Sequence, residues 1–135
     1  MALHHASCVE FDGKGILIFG PSGSGKSDLA LRLIDAGGKL VSDDYVNVIC
    51  EDGIFTAYPA PNIEGLIEVR GVGLLPIDYL KSTRLHLALE LRQYEEIERL
   101  PLGKTFKQDD GQIPLFHFDG FSVSAIAKIR LILKL

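Results

Sequence analysis

Cysteine is scarce in this chain, a basic surplus is missing, and no long apolar run occurs; each shortage removes a class of function. Cys8 and Cys50 are the only cysteines, and they make neither a Cys-x-x-Cys nor any other metal-ligand spacing. They read as two free, buried thiols of a reducing compartment. Lys and Arg number 14 against 18 Asp and Glu, for a formal charge of −4. A nucleic-acid binder usually shows a basic surplus or stripe, so no nucleic acid is expected as the main partner. No apolar stretch nears the roughly 18 residues of a membrane span, and Met1 to Cys8 lacks the charged start and apolar centre of a secretion signal. A cytoplasmic protein with no membrane partner is expected. Repeats, low-complexity tracts and flexible linkers are absent too. With 135 residues, 47% hydrophobic and 24% charged, the chain reads as one domain, 1–135, ordinary in composition.

What the chain does contain is a succession of short strands around one strong loop. Ser7 to Phe11 alternates and ends at Asp12-Gly13, and Ile16 to Phe19 is a compact run suited to a buried strand. Leu29, Ala30, Leu33 and Ile34 recur at helical spacing over 27–36, and Gly37-Gly38 stops that helix. Val46 to Cys50 and Ile54 to Tyr58 flank Glu51-Asp52-Gly53 as a hairpin. Leu66 to Val69 is strand-like, 76–80 reads as one helical turn, and Leu85, Leu87, Leu89 and Leu91 alternate as a half-buried strand. The polar stretch 92–107 gives no clear pattern. Ile113 to Phe118 reads as a strand, and 122–135 as a closing amphipathic helix. The fold class expected is α/β, a strand-rich core around one loop and its helix.

That loop is Gly20-Pro21-Ser22-Gly23-Ser24-Gly25-Lys26-Ser27, a P-loop (Walker A) pattern with the strand before it and the helix after it that the pattern requires. Its glycines let backbone N–H groups turn inward, and the positive end of the following helix favours phosphate. Lys26 is placed for the β- and γ-phosphates and the Ser27 hydroxyl for Mg²⁺. The signatures of a GTPase are missing: Asp12-Gly13-Lys14-Gly15 precedes the loop, and no Asn-Lys-x-Asp occurs. No arginine-bearing lid of a small-molecule kinase is apparent. What stands at close range is the acidic pair Asp43-Asp44.

The loop, then Leu40-Val41-Ser42-Asp43-Asp44, then Leu66-Ile67-Glu68-Val69-Arg70-Gly71-Val72-Gly73, resembles the catalytic domain of the HPr kinase/phosphorylases. These bacterial enzymes phosphorylate a serine of the phosphocarrier HPr and can remove the phosphate again. The resemblance runs from His5 to about Arg99 and implies the C-terminal-domain fold, ATP and Mg²⁺ as cofactors, HPr or an HPr-like carrier as partner, and a homo-hexamer. It implies Asp44 as catalytic base, Ser27 and Glu68 as metal ligands, and His5 near the γ-phosphate. Glu98-Arg99-Leu100-Pro101-Leu102 is similar to the family segment whose arginine is catalytic, which points to Arg99. The usual N-terminal regulatory domain is expected to be absent, as in the short members. Pro114 to Asp119 stands where a basic segment associated with dephosphorylation belongs, so kinase activity carries over more readily than phosphorylase activity. Asp43 reads equally as metal shell or turn former, and Arg70 as a strand-face ion-pair partner of Glu68. His86 and His117 read as structural, and, apart from the resemblance, His4-His5 reads as a frayed end. A small-molecule kinase and a nucleotide-binding regulatory module remain the rival functions.

Overall fold

Ile16, Leu17 and Ile18 are all fully buried, because the strand that carries them is covered on both faces. A run with no polar alternation is what such a strand requires, and each of these side chains contributes roughly 1.5–3 kcal/mol by leaving water. The computed structural model describes residues 1–135. In chain order its elements are β1 (Ala2–His4), β2 (Ser7–Phe11), β3 (Lys14–Phe19), α1 (Lys26–Asp35), β4 (Lys39–Ser42), β5 (Val46–Glu51), β6 (Ile54–Pro59), β7 (Leu66–Val69), β8 (Gly73–Pro76), β9 (Thr83–Leu91), β10 (Thr105–Gln108), β11 (Gly111–Phe118) and α2 (Ala125–Ile132). This is an α/β, strand-rich fold.

The main sheet runs β1-β5-β6-β9-β3-β2-β4, with β11 also joined to β9 and β10 to β11. At its centre β3 and β9 are parallel, whereas β2 is antiparallel to both β3 and β4. The long strand β9 is shared: Thr83 and Arg84 pair with β6, and Ala88 to Leu91 pair with β11. On one face Ile16, Ile18, Leu87 and Leu89 pack with Leu29 and Leu33 of α1, Ile67 of β7 and Ile129 of α2. On the other, Cys8, Leu17 and Ala88 pack with Val46, Val48, Phe55 and Ala57 of the curled-over β5–β6 hairpin. The alternation therefore sorts odd and even residues of β3, and of β9 from Leu87 onward, into two separate cores, while Leu85 joins the second core beside the register shift at Gly15/Ile16.

Helix α1 buries Leu29, Ala30 and Leu33 and ends at Gly37, whose φ of 108 is the left-handed geometry of a helix stop. Cys8 is buried and Cys50 half-buried, and both are free. Burial drives the Cys8 thiol well above its usual range. Partial desolvation and a bond to Asp110 raise that of Cys50. No helix is long and apolar enough to cross a membrane.

Four local expectations change. The start is not frayed: Ala2, Leu3 and His4 pair with Val48, Asn47 and Val46 as an edge strand, and His4 Nε2 meets Gln108 Oε1 at 2.6 Å. No helical turn forms over 76–80, because Gly73 to Pro76 pairs with β7 as a hairpin and Leu80 N–H donates to Leu40 O. The stretch 92–107 holds a single 3₁₀ turn, Tyr94–Glu96, then β10. The closing helix is shorter than its apolar pattern: Ser122 and Ser124 bond to each other and hold turns instead of a first helical turn.

Candidate active site

The glycine-rich loop connects β3 to α1. Its last glycine, Gly25, caps the helix in left-handed geometry, φ 96 and ψ 19. A Cβ on Gly25 would also stand 2.9 Å from the Phe121 ring, so both conformation and space demand glycine there. Lys26 is 8% exposed, and its Nζ donates to Gly20 O at 2.7 Å and Pro21 O at 3.3 Å. An ammonium has three donors, so one remains for a ligand. The Ser24 hydroxyl, inside the loop, is buried with no hydrogen-bond partner. A buried orphan of this kind costs about 1–3 kcal/mol, and an oxyanion in the loop would satisfy it. The donors gathered here are those of an anion site.

Asp43, left open between two roles by the sequence, is the knot of the site. It is 5% exposed and accepts from Ser7 Oγ of β2 at 2.8 Å, from Ser27 Oγ at 2.9 and 3.1 Å, and from the Glu68 N–H at 3.1 Å. One carboxylate thus ties the end of β4 to β2, α1 and β7. Three charge-assisted donors, the Ser27 hydroxyl shared between both oxygens, offset its desolvation. Nothing in a linear sequence signals that Ser7 is its partner.

Asp44 turns the other way. Tyr45 N–H donates to Asp43 O across it, making a γ-turn with Asp44 at φ 67. Strain of order 1–3 kcal/mol sits at such a residue, and it aims the Asp44 carboxylate outward. Its Oδ1 lies 2.9 Å from His5 Nε2, and the His5 ring stacks on Tyr45 with centroids 4.8 Å apart. The family resemblance implies His5 near the γ-phosphate; the structure shows its ring against Asp44. Its position follows from β1, which ends one residue before it.

Lys26, Ser27, Asp44, Glu68 and Arg70 line one cavity of about 510 Å³. Glu68 and Arg70 share it without forming the expected ion pair, since β7 ends at Val69 and a turn closes from Val72 N–H to Val69 O. Arg99 is not brought to this cavity. It lines a separate apolar groove with Pro101, Leu102, Phe116 and Lys128. The arginine beside the loop is Arg92, in a second cavity with Gly20 to Ser24, Glu90, Gln93 and Phe121. The sequence marked neither Arg92 nor Phe121, since neither belongs to a motif.

Arg92 Nε and Nη2 both reach Glu90 Oε2 at 2.9 Å. His117 has a side chain only 5% exposed. Its Nδ1 meets Glu98 at 2.9 Å, and its Nε2 lies 3.0 Å from Glu90 Oε2 without the alignment of a hydrogen bond. The backbone N–H of its own residue, and then His117, push the Glu98 carboxyl below its usual range. His86 stays exposed, its ring nitrogen against Arg84 O.

No group of three or more His, Cys, Asp or Glu forms a metal cage. Ser27 and Glu68 instead offer hard oxygen donors beside the anion site, with Asp43 behind Ser27. That sparse set suits Mg²⁺, which keeps waters and phosphate oxygens in its shell, and does not suit a metal held by protein alone.

The family model for the HPr Serine kinase C-terminal domain matches residues 1–114. The chain belongs to the HPr serine kinase family. Among its relatives, the HPr kinase/phosphorylase of Clostridium kluyveri is 38% identical, the match covering 76% of this chain and 36% of that protein. That of Streptococcus thermophilus is 37% identical over 70% of this chain and 33% of that protein. The chain therefore spans about a third of the length of the curated relatives it matches. The HPr(Ser) kinase/phosphatase structure from Coxiella burnetii superposes with a TM-score of 0.83 at 25% identity, covering 100% of both chains. HPr serine kinase membership thus extends beyond motif letters to the whole strand-rich architecture.

Proposed function

We propose that residues 1–135 form a P-loop kinase domain that transfers the γ-phosphoryl of ATP, with Mg²⁺, to a serine of HPr or an HPr-like phosphocarrier. The observation that carries this reading is the shared cavity of Lys26, Ser27, Asp44 and Glu68. Ser22, Gly23 and Gly25 of that cavity, with Gly20, Pro21 and Ser24 of the adjoining one, cradle the phosphates, and Lys26 neutralises the β- and γ-oxygens. Ser27 and Glu68 would hold Mg²⁺, which would supply positive charge against the phosphates. Asp44 accepts the serine Oγ proton as the Oγ–P bond forms and the bond to ADP breaks. His5 holds the Asp44 carboxylate in place. In the reverse direction inorganic phosphate attacks the phosphoserine phosphorus, and Asp44 returns the proton to the departing serine oxygen.

The same proposal takes the working form to be a cytoplasmic homo-oligomer, hexameric by the family resemblance, with no nucleic acid or membrane partner. Arg99, away from the cavity within one chain, has no role in the site proposed. The test is to incubate the protein with Mg-ATP and HPr, follow the intact mass of HPr, and then add inorganic phosphate. Gain of one phosphoryl group on serine supports the kinase, and its loss on adding phosphate supports the reverse reaction. Phosphate on a small metabolite but never on HPr would replace this reading with a small-molecule kinase; binding without turnover would replace it with a regulatory module.

A further inference from the structure

Phe121 is a large aromatic left 65% exposed at the point where the two cavities flanking the loop meet, and it lines both. Its ring lies directly on Gly25, close enough that a methyl group there would collide with it. The ring is not loosely tethered. Its own N–H donates to Asp119 Oδ1 at 3.0 Å, and the preceding Gly120 carbonyl is gripped by Arg32 of α1. Gly120 also packs against Leu91, so that an added Cβ would meet that side chain at 3.1 Å. The turn between β11 and α2 is thus clamped from the helix and from β9, and it presents an exposed aromatic ring, its tip against Gly25, beside the glycine-rich loop.

We propose that Phe121 is the platform on which the nucleobase of the bound nucleotide stacks. This rests on the phosphate-binding reading above. The cavity with Asp44, Lys26, Ser27 and Glu68 carries the transfer chemistry. The base is then directed into the other cavity, about 630 Å³ in volume, where Arg92, Gln93 and Glu96 supply polar groups for its edges. A ring carried on a backbone turn that is already held loses less freedom on stacking than one on a mobile loop. Because every base has a π face, the contact strengthens binding without choosing strictly among bases.

The test compares ATP with inorganic tripolyphosphate, which carries the phosphates and no base, on the full chain and its Phe121→Ala and Phe121→Trp variants. Phe121→Ala weakens ATP binding about tenfold or more and leaves tripolyphosphate binding within about twofold. The chain contains no tryptophan, so Phe121→Trp gives a single indole whose emission changes with Mg-ATP and stays constant with tripolyphosphate. Equal losses for both probes would make Phe121 only a brace for Gly25 and overturn the inference, as would unchanged ATP affinity. A wild-type protein that binds neither probe overturns the phosphate-binding reading and this inference with it.

Discussion

His5 Nε2 and Asp44 Oδ1 lie 2.9 Å apart, joining the residue after the first edge strand to a strained turn 39 positions later. The pair is half-exposed, 46% and 59% for the two side chains, so its worth lies in orientation more than in energy. Tyr45 stacks behind the imidazole and leaves it little freedom to swing.

Replacing Asp44 by Asn removes the proton acceptor while keeping size and tolerance of positive φ. Phosphoryl transfer falls by about 10²- to 10⁴-fold, with ATP affinity and thermal midpoint nearly unchanged. Asp44→Ala loses the same activity and about 1 kcal/mol of stability, because alanine at φ 67 has no local bond to support it. Single-turnover kinetics and melting curves on both variants check this, and full turnover by Asp44→Asn would remove the residue from its role.

His5→Phe keeps an aromatic ring on Tyr45 and deletes the bond to Asp44. Turnover drops roughly tenfold while the KM for ATP holds, since the histidine acts through the carboxylate and not on the nucleotide. A matching rise in KM would place the imidazole against phosphate after all.

Glu68→Gln removes one hard, charged oxygen from the cavity it shares with Ser27. The Mg²⁺ concentration for half-maximal transfer rises about tenfold, with tripolyphosphate affinity in metal-free buffer unchanged. Titration with Mg²⁺ after chelation measures it. An unaltered requirement would exclude Glu68 as a ligand.

Glu98 makes stability depend on pH. Its carboxyl titrates below the reference value of 4.5 in the folded protein, so its contribution to stability is full above that value. As pH falls through the depressed folded value, the unfolded chain has already taken up the proton and the contribution disappears. Glu98→Gln therefore flattens the fall in stability below pH 4.5 without changing activity at pH 7. Urea melts at pH 4.5 and pH 3 show it; parallel slopes for both proteins would refute it.

Asp43→Ala strands the hydroxyls of Ser7 and Ser27 and the N–H of Glu68. The loss is about 3–5 kcal/mol, seen as a lower urea midpoint, with Ser7→Ala nearer 1 kcal/mol.

The loop, its flanking strand and helix, the β5–β6 hairpin and β9 were legible because each is specified within a few neighbouring residues. Ile16 to Phe19 needed only its unbroken apolar character, and α1 only its spacing and its glycine stop. Asp43 was opaque for the opposite reason: its partners come from positions 7, 27 and 68, and no local rule links them. The first strand was read as frayed because three residues carry no periodicity. Their register is set by β5. Arg99 was assigned by analogy of letters in a stretch whose only regular element before β10 is the 3₁₀ turn Tyr94–Glu96, so no periodicity placed it. Phe121 lies in a loop where apolar residues carry no pattern at all.

The carboxylate of Asp43 sets a limit on transplantation. Moving residues 20–27 onto another strand–helix junction would carry over the glycines and the lysine but leave the Ser27 hydroxyl with nothing to orient it. A working graft needs pieces of four segments: the loop with its helix, the serine of the second strand, the aspartate after the fourth, and the backbone of the seventh. Swaps between relatives should therefore exchange the sheet and helix together, not the loop alone.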